Sequence, residues 1–297
     1  MPAMRLSFAA DAATTVRRPG RAGRGVAILA VAVALAGCQV DQAAVDGSFA
    51  VDRSAGSASN IDSLTQVIDA NPADASAYNM RGTAYGRAGQ NDLAIADFTR
   101  AVQINQEFYQ AYANRALVHR RLNNLDAALS DYSRALASNP TYEQALIGRG
   151  NIYRLKGDNA RALADFNTVI RNNSGNPRAF HNRALIHQAQ GDHAFAIEDF
   201  GIAIGLGPNF PEPYNGRGVS YLAVGDVDSA LEDFNQALAL DRNNAQAWAN
   251  RGIALEAKGE LMDARAAYNR ALSLQPGYGP ARAGLGRIDS GRSPVRT

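Results

Sequence analysis

The sequence predicts an all-α protein built from tandem helix pairs, on three observations. Residues 75–278 fall into six rows of 34 with no gap, and a fixed period of this length marks a repeat array. Small residues recur at two columns of every row: Gly82, Ala116, Gly150, Ala184, Gly218 and Gly252 at column 8, and Ala94, Ala128, Ala162, Ala196, Ala230 and Ala264 at column 20. Column 24 is always a ring: Phe98, Tyr132, Phe166, Phe200, Phe234 and Tyr268. The small columns let two helix backbones approach, and the rings fill the space between neighbouring pairs. One pair cannot bury its apolar face alone, so stacking supplies the core.

From the N-terminus, Arg17, Arg18, Arg21 and Arg24 precede a wholly apolar run, Val26 to Ala36, followed by Gly37 and the only cysteine, Cys38. A basic segment, a short apolar run and small residues at a cut form a secretory signal over 1–37. Eleven apolar residues are too few to span a bilayer as a helix, which takes about 20. Leu35-Ala36-Gly37-Cys38 resembles the lipobox of bacterial lipoproteins. That resemblance implies cleavage before Cys38, diacylglycerol on its sulfur and an acylated new amine, with chains of the palmitate type. The competing reading is a free cysteine behind an ordinary signal. Residues 38–60 are small, polar and without a period, so they predict a lipidated flexible tether.

Residues 61–74 keep the phase of a second helix, with Leu64 and Val67 in apolar columns, and predict an N-terminal capping half-repeat. The full repeats follow at 75–108, 109–142, 143–176, 177–210, 211–244 and 245–278. Gly89, Gly157, Gly191, Gly225 and Gly259 stand at column 15, where the first helix must stop and turn; glycine takes a left-handed C-cap without strain. Asp158, Asp192 and Asp226 come next as N-cap candidates for the second helix. Residues 279–288 begin a seventh first helix that serves as a C-terminal cap, and 289–297 form a frayed tail. Over residues 75–278 these columns resemble the tetratricopeptide repeat. The resemblance implies a right-handed α-solenoid of antiparallel helix pairs, with a concave groove lined by the first helices.

Two further regularities are specific to this chain. Column 7 is arginine in every row (Arg81, Arg115, Arg149, Arg183, Arg217, Arg251), and column 23 is aspartate in all but the last, which has Ala267. The seventh, incomplete row has Leu285 at column 7. Aspartate thus disappears where the next row lacks arginine, which favours pairing of Asp97 with Arg115 of the following repeat over Arg81 of its own. The second regularity is a two-row period. Rows one, three and five carry Gly at column 8 and Tyr at column 11; rows two and four carry Ala and His (His119, His187); Asn114, Asn182 and Asn250 occupy column 6 of even rows.

Composition bounds the function. Hydrophobic residues make up 46% and charged residues 20% of the chain, as in an ordinary folded protein, and the net charge of +2 is too small for nucleic-acid binding. One cysteine excludes an internal disulfide and a multi-thiolate zinc site. His119 and His187 fall in core columns and read as satisfied core rings. His181 and His193 have no accompanying ligand pattern, so no metal and no cofactor are expected. There is no phosphate-cradling glycine loop, HExxH or GxSxG, and repeats fill the chain, so no enzyme is expected.

In the family the first helices line the groove through columns 2, 5, 6, 9, 12 and 13. Those columns hold Arg87, Arg120, Arg121 and Arg154 in rows one to three, small or apolar residues in rows four and five, and Glu256 in row six. The expected partner is a protein or peptide with an acidic or C-terminal segment, held by these arginines and by Asn114, Asn182 and Asn250. Column 5 has no lysine, so the carboxylate clamp of some family members is incomplete. The architecture resembles envelope lipoproteins that serve as adaptors for cell-wall hydrolases and proteases. The alternative is a pilotin-like or outer-membrane-assembly accessory. The expected location is the periplasm-facing envelope, on the outer membrane rather than the inner because Gln39, not aspartate, follows Cys38; a homodimer stays open.

Overall fold

A glycine or its stand-in turns every helix pair. In the computed structural model, which describes residues 56–172 and 175–291, the column-15 residues all have positive φ: Gly89 (76°), Gly157 (76°), Gly191 (83°), Gly225 (86°) and Gly259 (88°). Row two has no glycine there, and Asn123 takes its place at φ 60°; asparagine is among the few side chains that tolerate this region. The expected signal segment, Cys38, the expected tether as far as residue 55 and the expected tail from 292 lie outside the described residues.

The described residues form fourteen helices. A single helix, α1 (Ala58–Ala70), precedes six pairs: α2 (Ala75–Arg87) with α3 (Asn91–Ile104), α4 (Tyr109–Arg121) with α5 (Leu125–Ser138), α6 (Glu143–Leu155) with α7 (Asn159–Arg171), α8 (Pro177–Gln190) with α9 (His193–Leu206), α10 (Pro211–Ala223) with α11 (Val227–Leu240), and α12 (Ala245–Lys258) with α13 (Leu261–Leu274). A last single helix, α14 (Gly279–Asp289), follows the sixth pair. The chain is an all-α solenoid. Asp158 and Asp226 cap their helices by accepting from Arg161 N at 3.1 Å and Ser229 N at 3.2 Å. Asp192 makes no such bond, so one of the three expected side-chain caps does not form.

Successive first helices touch one another, whereas among the described residues no second helix packs to that extent on the next. The first-helix layer therefore follows the shorter, inner arc, and its exposed columns face the concave side.

The column-24 ring organises the core. In rows one, three and five it leans onto glycine of its own first helix: a methyl added at Gly82, Gly150 or Gly218 would meet Phe98, Phe166 or Phe234 at 2.9, 2.7 and 2.7 Å. In rows two and four it leans the other way, so that Tyr132 occupies the space a side chain would need at Gly148 of the next row, and Phe200 that at Gly216. This is the physical basis of the two-row period. A row followed by asparagine at column 6 needs its glycine at column 8; a row with alanine at column 8 needs glycine at column 6 of its successor.

The arginine–aspartate ladder runs within repeats, which corrects the expectation of pairing between them. Arg81 Nε lies 2.8 Å from Asp97 Oδ2, and Arg115, Arg149, Arg183 and Arg217 pair in the same way with Asp131, Asp165, Asp199 and Asp233 at 2.7–2.8 Å. Columns 7 and 23 face each other across the antiparallel pair of one row. The inter-repeat bond comes from another nitrogen of the same guanidinium, which reaches back to column 25 of the preceding second helix: Arg81 to Thr65 (3.1 Å), Arg115 to Thr99 (2.9 Å), Arg183 to Asn167 (2.8 Å). Where Ala267 removes the carboxylate, Arg251 turns its Nε to Asn235 at 2.8 Å. The paired carboxylate, first through its hydrogen bonds, holds each of these arginines above its ordinary pKa.

Candidate interaction groove

The predicted groove residues sit at two levels of the first helices. The arginines lie at the C-terminal ends of α2, α4 and α6, where a cation also complements the helix dipole by about 0.3–1 kcal/mol. The asparagines lie one to two turns earlier, and their amide donors are engaged. Asn114 donates to Asn79 Oδ1 of the preceding repeat at 3.0 Å, and Asn250 donates to Asn215 Oδ1 at the same distance. Row three offers Ile147 instead of an acceptor, so Asn182 donates to the Arg178 carbonyl of its own helix at 2.8 Å. Asn114 and Asn250 thus link neighbouring first helices while Asn182 does not, and a ligand would meet only the remaining amide valences.

The arginines divide. Arg121 Nη1 donates to the Gly86 carbonyl at 2.8 Å, tying α4 to α2. Arg154 projects its charge onto His181. Arg87 and Arg120 are half-buried, their Nε atoms shielded from water, and among the described residues those Nε atoms have no hydrogen-bond acceptor. Neither side chain holds a carboxylate among the described residues, unlike the column-7 arginines of rows one to five. Arg120 also lies close enough to the buried Tyr132 for its charge to oppose the rise that burial imposes on the phenol pKa.

At the far end of the groove the expectation for Glu256 fails. Its side chain is 2% exposed. It accepts from Tyr268 Oη at 2.7 Å, from Arg287 Nε at 2.9 Å and from Arg287 Nη2 at 2.7 Å. Glu256 locks α14 onto the last pair and takes no part in a ligand surface. Gln188 is likewise internal, donating to Gly216 O and Ser220 Oγ of the next repeat, each at 2.8 Å.

The histidines are not the satisfied core rings the columns suggest. Nδ1 of His119 and of His187 is shielded and has no hydrogen-bond partner among the described residues, and the His187 ring leans on Phe195 at 5.6 Å. His181 lies between Phe200 and Phe210, with centroids 5.6 and 5.2 Å away. Burial, reinforced by Arg154 and Arg178, pushes its pKa down to about 3, so the ring is neutral near pH 7. Among the described residues no three His, Cys, Asp or Glu side chains are grouped to hold a metal ion, and no helix is long and apolar enough to cross a membrane.

Comparison with known proteins agrees with this architecture. The family profile described as tetratricopeptide repeat matches residues 61–109, 79–143, 113–177, 147–209 and 215–279. Among solved structures, the APC/C hetero-tetramer Cut9-Hcn1 superposes with a TM-score of 0.71 at 18% identity; the match covers 80% of this chain and 47% of that one. A tetratricopeptide repeat protein from Parabacteroides merdae ATCC 43184 gives a TM-score of 0.60 at 23% identity, over 77% of this chain and 91% of that one. YrrB, a TPR protein with an unusual peptide-binding site, gives 0.50 at 25% identity, over 64% and 97% respectively. No curated protein matches the sequence. With the helix-pair geometry, the ring and glycine columns and a profile match over most of its length, the chain belongs to the tetratricopeptide repeat family.

Proposed function

We propose that this protein is a lipid-anchored scaffold that holds a protein or peptide partner on the first-helix face of its repeats. Function lives in the site rather than the fold, and the observation that carries the reading is the pair Arg87 and Arg120. The column-7 arginines and Arg121 hold a carboxylate, a side-chain amide oxygen or a backbone carbonyl. Among the described residues Arg87 and Arg120, on adjacent repeats of the inner layer, hold none of these, and a shielded guanidinium gains most from a charge-assisted partner. An acidic or C-terminal segment supplies the missing carboxylates. The peptide-binding site named for YrrB, at 25% identity, supports a peptide-sized partner.

The anchor rests on the Leu35–Cys38 sequence. Acyl chains on Cys38 would fasten the chain firmly, since each buried methylene contributes about 0.8 kcal/mol and two chains suffice. The residues after it give the array reach into the periplasm, and Gln39 favours the outer membrane. In this setting the scaffold serves as an adaptor for envelope machinery, bringing cell-wall hydrolases or proteases together, and not as an enzyme.

The test is capture from detergent-solubilised envelopes with the full chain and with an Arg87→Glu, Arg120→Glu variant. Partners lost only from the variant place binding at this pair; muramyl hydrolases among them support the adaptor role, and a secretin or barrel subunit supports the assembly role instead. Identical partners on both baits refute the arginine site. The intact mass of the mature chain checks the anchor independently: a Cys38 thiol without acyl mass removes it.

A further inference from the structure

We propose that the repeat array continues from one copy of the chain into the next, α14 of one molecule and α1 of its successor forming one composite repeat. The inference does not depend on the groove reading. It starts from what the two ends lack. Among the described residues the stack begins with a second helix that has no first helix before it, and it finishes with a first helix that has no second helix after it.

Each end shows the missing half in its exposure. Column 27 is buried in every complete repeat: Ala101, Ala135, Val169, Ala203, Ala237 and Ala271 are 0–1% exposed. Its counterpart on α1, Val67, is 48% exposed. Column 8 is buried in every complete repeat, and in four of them its glycine is covered by the column-24 ring of the second helix. Its counterpart on α14, Gly286, is exposed and has nothing within 4 Å of where a side chain would begin. One end thus offers an uncovered second-helix face and the other an unfilled first-helix notch, in the same register of the same repeat.

A contact across the junction can be read from repeats already joined. The bonds from Asn114 to Asn79 and from Asn250 to Asn215, both 3.0 Å, show that column 5 of one row touches column 6 of the next. At the junction these columns hold Ala283, which is exposed, and Met80 of the following copy, 55% exposed. Met80 is apolar and exposed, and among the described residues no preceding first helix lies against it. The occupant that fits all three positions is a second copy, added head to tail. Such a contact is heterologous and does not consume either molecule's other end, so it propagates.

Cysteines placed at Met80 and Ala283 test this, since both positions are exposed and neither substitution disturbs the core. The full chain in detergent is oxidised mildly, with the wild type as baseline for Cys38. Met80→Cys combined with Ala283→Cys is expected to give a ladder of dimer, trimer and higher species. Each single variant alone is expected to stay at baseline, and the two singles mixed are expected to give a dimer and nothing larger. Adding Val67→Asp to the double variant is expected to remove the ladder, because column 27 would be buried under α14. Baseline behaviour of the double variant overturns the proposal and assigns the open end to a segment of the same chain or to an unlike partner. A dimer from either single variant alone overturns it in favour of a two-fold contact.

Discussion

Removing Arg287 should detach the last helix while leaving the middle of the array untouched. Glu256 is 2% exposed and receives two of its three hydrogen bonds from Arg287. In Arg287→Ala the Tyr268 hydroxyl remains the sole donor to a buried carboxylate. Breaking a fully buried ion pair costs about 3–5 kcal/mol. Arg287 is 39% exposed, so part of that attraction is already screened by water, and about 2–3 kcal/mol is the expected loss. In an array whose repeats contact only their neighbours, the loss stays local. Hydrogen exchange of the full chain is the assay: amide protection in α14 should fall roughly 30- to 150-fold, with a smaller fall in α13 and none in α4 to α7. The cost is that of a stranded charge, so adding Glu256→Gln to Arg287→Ala should recover at least half of the protection. Unchanged exchange in α14, an equal loss along the whole stack, or no recovery with glutamine would refute the reasoning.

Three other outcomes follow from the geometry. Ala267→Asp restores the missing carboxylate of row six beside Arg251 and should stabilise the C-terminal repeats by up to about 1 kcal/mol in urea unfolding; a pairing between repeats would instead leave the new carboxylate facing Leu285 and lower the midpoint. Gly148→Ala drives a methyl into the Tyr132 ring, which is 2% exposed and has no room to yield, so a cost of about 1–3 kcal/mol is expected; wild-type stability would refute the ring packing. His181 has a pKa pushed down to about 3, against an ordinary 6.5, so the unfolded chain takes up its proton first. The stability it contributes is complete above pH 6.5 and is lost as pH falls towards 3, with a slope approaching about 1.4 kcal/mol per pH unit. A His181→Phe variant should lose less stability over that interval, and parallel unfolding curves would count against the burial of the ring.

The sequence made the fold legible because every periodic column answers a steric demand that the structure repeats in each row. Column 15 needs a left-handed residue, and five glycines announced it; Asn123 was the one turn whose signal was hidden by a non-glycine residue. The ladder shows where column statistics mislead. The loss of aspartate at 267 coincides with the loss of arginine at 285, yet columns 7 and 23 pair within one row, so the coincidence marks no contact. An arginine with several donors can serve its own row and the previous one together, and one-letter periodicity cannot apportion them. The groove was legible only as a set of columns. Which arginines are occupied depends on the neighbouring first helix, such as α2 with the Gly86 carbonyl that takes Arg121. Glu256 was misread because column 12 lies against the next first helix, as it does at Gln188, and its partner Arg287 on α14 is not marked by any column of the complete repeats.

The column-7 arginines act as stitches, each sewing its own helix pair to the second helix before it, and one stitch is dropped. Arg217 keeps Asp233, but column 25 of the preceding row is Gly201, which has no side chain to receive it. At the same joint Gln188 adds two bonds on the inner layer, to Gly216 and Ser220. The seam between the fourth and fifth repeats therefore lacks the column-25 hydrogen bond on its outer edge and carries two hydrogen bonds on its inner one. Bending of the array should concentrate there, as a pivot about Gln188 that opens the second-helix side and alters the curvature of the face where a partner would lie. Gly201→Asn, which supplies the acceptor that Arg183 finds in Asn167, would close that seam and should show as slower amide exchange in α9 and α11 than in the parent chain.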